Sequence, residues 1–177
     1  APGPRFVKVQ DQQSLGQAEA LGHSPAVVKA WMYANSIHLV DYFRIFARGS
    51  ATEIRHVVRW DAQEGVGLLL AYLKFESGDT GLYEAFWRTP GPWAASIHVP
   101  GRRLELRPLE ELKWQALGEP MQTVPRSARD LDLKPGFVLQ AQNAIAACLG
   151  LPSSSPNLEA ALQTMCLVER LYSAAPK

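Results

Sequence analysis

Cysteine is scarce in this chain: Cys148 and Cys166 are the only two, no Cys-x-x-Cys pair occurs, and neither stands in a Cys/His cluster. That leaves no ligand set for a structural zinc. Both fall in segments that read as helices, where two buried, reduced thiols are expected. No stretch of about 18 apolar residues exists, so no transmembrane helix is expected. Residues 1–10 lack the apolar region of a secretory signal and read as a short strand over Phe6–Val9, so a cytoplasmic location is expected. Charge of one sign is lacking too. Lys and Arg number 18 against 17 Asp and Glu, a net charge of +1, which argues against a nucleic acid or an acidic membrane as partner. A phosphate-binding loop is missing: Gly65-Val-Gly67 has no third glycine three residues on and no helix after it. There is no G-x-S-x-G, hence no nucleophile-elbow serine.

What is present is a globular composition. Apolar residues make up 47% and charged residues 20% of 177, enough for one domain with its own core over residues 1–177. The stretch Gly118–Asp132, extending to about residue 134, carries Pro120 and Pro125 without periodicity and reads as a long loop within that domain. The chain begins without Met and enters structure almost at once, which points to a domain cut from a longer protein.

Helix signals stand at both ends. Ser24-Pro25 is an N-cap followed by a first-turn proline, and a helical region is predicted from there to about Ala47, broken near Asn35 and Ser36 and stopped at Gly49. Phe137–Leu149 and the stretch from about Asn157 to Tyr172 repeat apolar residues at spacings of three and four. Between them the pattern is strand after strand: Thr52–Trp60, Val66–Phe75, Thr80–Arg88, Trp93–Val99 and Arg103–Arg107. Short turns make consecutive strands antiparallel neighbours. The predicted class is α+β: an open, mostly antiparallel sheet with helices packed on one face. Val66–Phe75 and Thr80–Arg88 are apolar on both faces, so the second face needs a cover, and a second copy of the chain in a homodimer is the expected one.

The chemistry-bearing constellation is Asn35-Ser-Ile-His-Leu-Val-Asp41. His38 and Asp41, three apart, share a helix face, where a carboxylate can fix the imidazole tautomer and favour proton transfer. Asn35, one turn earlier, can add an amide contact to a polyol. The alternative is a structural histidine satisfied by Asp41 and the backbone. His23, His56 and His98 have no carboxylate at a telling spacing, and Tyr83, Trp87 and Trp93 suit a sheet core or interface better than a sugar platform.

Residues 37–44, Ile-His-Leu-Val-Asp-Tyr-Phe-Arg with Gly49 after them, resemble the His-x-x-Asp helix of the Gfo/Idh/MocA oxidoreductases. Lys74-Phe-Glu-Ser-Gly-Asp-Thr-Gly81 is similar to the strand–turn–strand of that family. Leu104-Glu-Leu106, Phe137–Leu149 and Glu159–Ala174 follow in the same order, so the resemblance spans roughly residues 25–174. It implies the carboxyl-terminal, substrate-side and dimerisation domain of an NAD- or NADP-dependent enzyme acting on a sugar-like small molecule. His38 would be the catalytic residue, acting in proton transfer, with Asn35 and Asp41 binding substrate. This chain would bind no cofactor itself, and the dinucleotide-binding half would lie elsewhere. Many members carry an aspartate four residues before that histidine; here the position is Ala34. Leu133-Lys134-Pro135 mimics the family's Glu-Lys-Pro motif but lies in the late loop. A free-standing, non-enzymatic binding or assembly module is the alternative function.

Overall fold

The computed structural model describes residues 3–58 and 67–173. The expected strand ends at Trp60 and Val66 lie outside those residues.

Strand β1, Phe6–Gln13, alternates strictly, with Val7, Val9, Asp11 and Gln13 buried. Ser14 then caps a short helix α1, Leu15–Ala20, by accepting from the Gln17 N–H. Ser24 does the same for α2, Pro25–Lys29, with Pro25 in its first turn. The predicted break at Asn35 and Ser36 takes the form of a π-helical turn, Met32–Ser36, that runs directly into α3, Ile37–Phe46. The strands β2 (Ala51–Val58), β3 (Leu68–Phe75), β4 (Thr80–Trp87), β5 (Ala94–Val99) and β6 (Arg102–Leu106) follow. Next come β7 (Leu112–Ala116) and a two-residue β8 (Gln122–Thr123). The helices α4 (Ala128–Asp132), α5 (Phe137–Cys148) and α6 (Leu158–Tyr172, capped by Asn157) close the chain.

The eight strands form one sheet in the order β2-β3-β4-β1-β5-β6-β7-β8. All pairings are antiparallel except β1 with β4. The class is therefore the expected open, mostly antiparallel α+β sheet, with two corrections to its detail. β4 and β5 are not neighbours, because the six-residue connection 88–93 leaves a gap that β1 fills. The stretch 118–134 is not one loop: β8 pairs with β7 there, and α4 follows.

The core lies on one face. Leu39, Val40 and Phe43 of α3 and Leu167, Val168 and Leu171 of α6 close over Val7, Val9, Leu69, Leu73, Tyr83 and Ile97. Full burial of each such side chain stabilises by about 1.5–3 kcal/mol. The approach is tight enough that a Cβ added to Gly81 of β4 would fall 2.7 Å from Phe43 Cε1.

The opposite face is half-buried and mixed. Leu68, Leu70, Tyr72, Leu82 and Phe86 share it with Lys8, Gln10 and Glu84, which form a 2.9 Å ion pair (Lys8–Glu84) and a 2.8 Å hydrogen bond (Gln10 to Glu84). β3 and β4 thus put apolar residues on both faces, as expected, while Glu84 of β4 and Lys8 and Gln10 of β1 make the middle of the second face polar. The thiols also differ from expectation: Cys148 and Cys166 are both exposed. α5 buries none of its residues, and on α6 the inward positions next to Cys166 are Leu167 and Val168.

Candidate functional site

β1 carries polar residues in the buried phase of its alternation, and they organise the polar interior. Asp11, fully buried, accepts from Tyr83 Oη at 2.6 Å and from Gln13 Nε2 at 2.5 Å. Tyr83 and Tyr172 hydroxyls lie 2.8 Å apart, and Tyr172 donates on to Ser36 Oγ of the π-helical turn at 3.4 Å. Burial pushes the Asp11 carboxyl up; hydrogen bonds from Ser36, Tyr83 and Gln13 offset only part of that. Burial, and then the Asp11 charge, hold the Tyr83 phenol well above its usual value, so it remains a donor.

Gln13 transmits this order outward. Its amide nitrogen is committed to Asp11, which fixes its oxygen toward the helices. There Oε1 accepts from Trp31 Nε1 at 2.9 Å and Asn35 Nδ2 at 2.8 Å. Trp93, on the connection between β4 and β5, donates its indole N–H to the Gln12 carbonyl. Gln12, Gln13, Gln17, Trp31, Asn35 and Trp93 thus surround a cavity of about 480 Å³ at the carboxyl end of β1.

A second, larger groove of about 680 Å³ lies beyond α3. His38 and Tyr42 form one wall; Glu110, Arg126, Lys134 and Phe137 are among the residues opposite. His38 is exposed, and among the described residues no hydrogen bond or ion pair holds its ring. Burial, then Glu110, raise the Tyr42 phenol.

The three residues singled out from the sequence are therefore not gathered in one place. Asn35 lines the first cavity and His38 the second. Asp41 faces α6: its carboxylate takes a two-pronged contact from Arg44 at 2.6 and 2.8 Å and the Thr164 hydroxyl at 2.6 Å. No hydrogen bond or ion pair joins Asp41 to His38 among the described residues. Residues three apart sit about 60° apart around a helix, and Asp41 is taken by the Arg44 guanidinium of its own helix and the Thr164 hydroxyl of α6. His56 turns out to bind the last turn of α6 through the Leu171 carbonyl at 2.8 Å. Tyr83 and Trp87 are core residues, as expected, whereas Trp93 lines the first cavity. Gln12, Gln13 and Trp31 went unnoticed in the sequence. Their signal was there: Asp11 and Gln13 fall in phase with Val7 and Val9, and polar residues at core positions of a central strand need partners. Among the described residues no cluster of three or more His, Cys, Asp or Glu could hold a metal ion, and no helix is long and apolar enough to cross a membrane.

No protein-family model and no curated protein matches this sequence. Solved structures do. UDP-N-acetylglucosamine 3-dehydrogenase from Acidithiobacillus ferrooxidans superposes with a TM-score of 0.68 at 14% identity, covering 96% of this chain and 52% of that one. Aldose-aldose oxidoreductase from Caulobacter crescentus, complexed with glycerol, gives 0.67 at 16% identity, with 96% and 52% covered. Levoglucosan dehydrogenase in complex with NADH gives 0.68 at 16% identity, with 96% and 56% covered. What the chain shares with these enzymes is the fold of about half of each, an open, mostly antiparallel α+β sheet. It spans about half the length of the structures it matches, so about half of each matched enzyme has no counterpart in it.

Proposed function

We propose that this chain is the substrate-side half of an NAD- or NADP-dependent oxidoreductase of the sugar and polyol type, that His38 is its proton-transferring residue, and that it pairs with a second copy through its open sheet face. The observation that carries this reading is the likeness to dehydrogenases over 96% of the chain but only about half of theirs. The surface of α5 supports it. Phe137, Leu139 and Ile145, with Leu149 just past its end, are all exposed on a helix that buries nothing, as suits a surface completed by another domain. The nicotinamide cofactor, held by that other half, would supply the hydride acceptor. His38, exposed in a groove and uncommitted to any described partner, is free to take the proton of a substrate hydroxyl.

The test joins this chain to the nucleotide-binding half of its parent and follows NAD(P)H formation at 340 nm with a panel of sugars and polyols. His38→Ala should lower kcat by about 10²–10⁴-fold while the melting temperature holds, because His38 anchors nothing in the fold. Unchanged turnover would remove His38 from the chemistry. A second reading, a binding or assembly module without catalysis, is favoured by Ala34 at the position where many members have aspartate; the joined protein would then form no NAD(P)H with any substrate.

A further inference from the structure

β5, β6 and β7 place three polar side chains in one row on the open face of the sheet. His98 stands opposite Arg103, and Arg103 opposite Gln115. Phe6 of β1 pairs with His98 and continues the row. A cavity of about 280 Å³ opens at this end of the β5–β6 hairpin, lined by His98, Arg103, Gln115 and also Arg102. Its lining thus holds two guanidiniums and an imidazole, and no carboxylate. We infer that this cavity is a binding site for a phosphate-type dianion, the free ion or a small phosphate ester.

Unbalanced charge carries this inference. Arg103 is half-buried, and its Nε is buried without a hydrogen-bond partner. Among the described residues no hydrogen bond or ion pair reaches any part of its guanidinium. That group is always charged and has five N–H donors, so burying an edge of it without an acceptor is costly, and a bound anion offsets the cost. Other arginines of this chain are served: Arg44, Arg48 and Arg126 by carboxylates, Arg5 and Arg170 by carbonyls. Arg102 has only the Trp114 ring, 5.9 Å away. The neighbouring charges do not fill the role. Glu105, two residues on along the same face, makes no ion pair among the described residues; it stands between Ser96 and Lys113. Lys8, in that same row, is held by Glu84. Gln115 commits its amide nitrogen to the Glu119 carbonyl at 2.7 Å. Burial, then Arg103, push the His98 imidazole down, and Glu105 offsets only part of that. The ring is therefore ready to gain a proton when a negative charge settles beside it. Two guanidiniums call for two negative charges: a neutral ligand leaves both uncompensated and a monoanion leaves one. The guanidinium fork also matches the oxygens of phosphate. The cavity lies below the about 300–1,000 Å³ of drug-sized sites, which fits an ion or a small ester and not a whole nucleotide.

No residue of the His38 groove lines this cavity, so the test is direct binding to the chain itself. NMR would follow the His98 ring and the arginine Nε–H signals of the isotope-labelled protein. The titrants are inorganic phosphate and, separately, glycerol 3-phosphate, with sodium chloride holding the ionic strength constant. The expected result is a saturable shift of the Arg103 Nε–H signal, with the midpoint of the His98 titration moving up by about one pH unit. Arg103→Gln should weaken binding about tenfold or more, and Arg102→Gln, at an exposed position, roughly several-fold, while the backbone amide spectrum shows a folded chain. Tighter binding of the ester identifies a phosphorylated small molecule as the ligand, and equal binding identifies the free ion; either upholds the site. A response that chloride alone reproduces overturns it, as does one that survives both substitutions, or none at all up to about 20 mM phosphate.

Discussion

Asp79 shows how one carboxylate can hold three parts of this chain together. It lies in the tight turn between β3 and β4, fully buried, and receives the Arg5 N–H at 2.8 Å, the Arg48 N–H at 2.9 Å and the Arg48 guanidinium at 2.7 and 3.0 Å. The lead into β1, the end of α3 and the β3–β4 turn therefore meet on one side chain. The guanidinium, reinforced by those N–H groups, holds its carboxyl far below the usual carboxylate range. A carboxyl that is more acidic folded than unfolded stabilises the fold above its unfolded value, near pH 4, and that contribution is lost as the pH falls through the folded value. Asp79→Asn should cost on the order of 2–3 kcal/mol at pH 7. Urea titrations from pH 7 downward should show the gap to wild type constant above about pH 4 and shrinking below it. A gap that did not change with pH would mean that packing, and not the ion pair, makes Asp79 matter. Asp11 is the contrasting case. It too is fully buried, but it is served by neutral donors, and burial raises its carboxyl. Its contribution has the opposite sign with pH, weakening as pH rises through its folded value.

At the scale of the elements, periodicity was legible and adjacency was not. α3, α5 and α6 follow from apolar spacing and caps, and β3 and β4 from apolar runs bounded by turn residues, because those signals lie within the element. β1 did not show its position. Phe6–Val9 reads as a short strand, yet the strand runs to Gln13 at the middle of the sheet and pairs in parallel with β4, 74 residues away. Nothing local to Phe6–Gln13 encodes that partner. The same holds for the site. The helix bearing Asn35 and His38 was found from its pattern, but the side of that helix each residue faces depends on β1 and α6, whose contacts are long-range. Helix and sheet meet most closely at Gly81, opposite Phe43. Gly81→Ala would place a methyl 2.7 Å from the ring edge and 3.4 Å from Leu73 Cβ. Removing a strand glycine favours the strand by about 0.5–1 kcal/mol, but displacing a buried ring costs about 1–3 kcal/mol, so the net change should be a lower urea midpoint with an unchanged slope. A raised midpoint would show that α3 can shift away from β4 at little cost.

At the scale of the whole molecule the question is what covers the open face of the sheet. Its middle rows run Arg55, Tyr72, Leu82, Lys8, Ser96 and, one row on, Leu70, Glu84, Gln10, Ala94. Leu68, Leu70, Tyr72, Leu82 and Phe86 thus form an apolar area toward β3 and β4, bounded by the Lys8–Glu84 ion pair. In a lone chain these side chains are half-buried, with the Arg55 guanidinium 5.6 Å over the Tyr72 ring. An apolar area beside a paired Lys and Glu is self-complementary under a two-fold rotation: each copy can set leucines and aromatics against those of the other, with the charges satisfied within each chain. A stable pair of this kind should bury more than about 1,200 Å² in total. Sedimentation equilibrium at micromolar concentration should then give twice the mass of the 19.5 kDa chain. Leu82→Arg tests the surface itself, since Leu82 pairs with Lys8 on one side and Tyr72 on the other. A second cation there, doubled by symmetry, should shift the protein to monomer while leaving the core on the far face, and therefore the circular dichroism spectrum, unchanged. A wild-type chain that sediments as a monomer would remove the sheet pairing, and a dimer untouched by Leu82→Arg would place the interface on another surface.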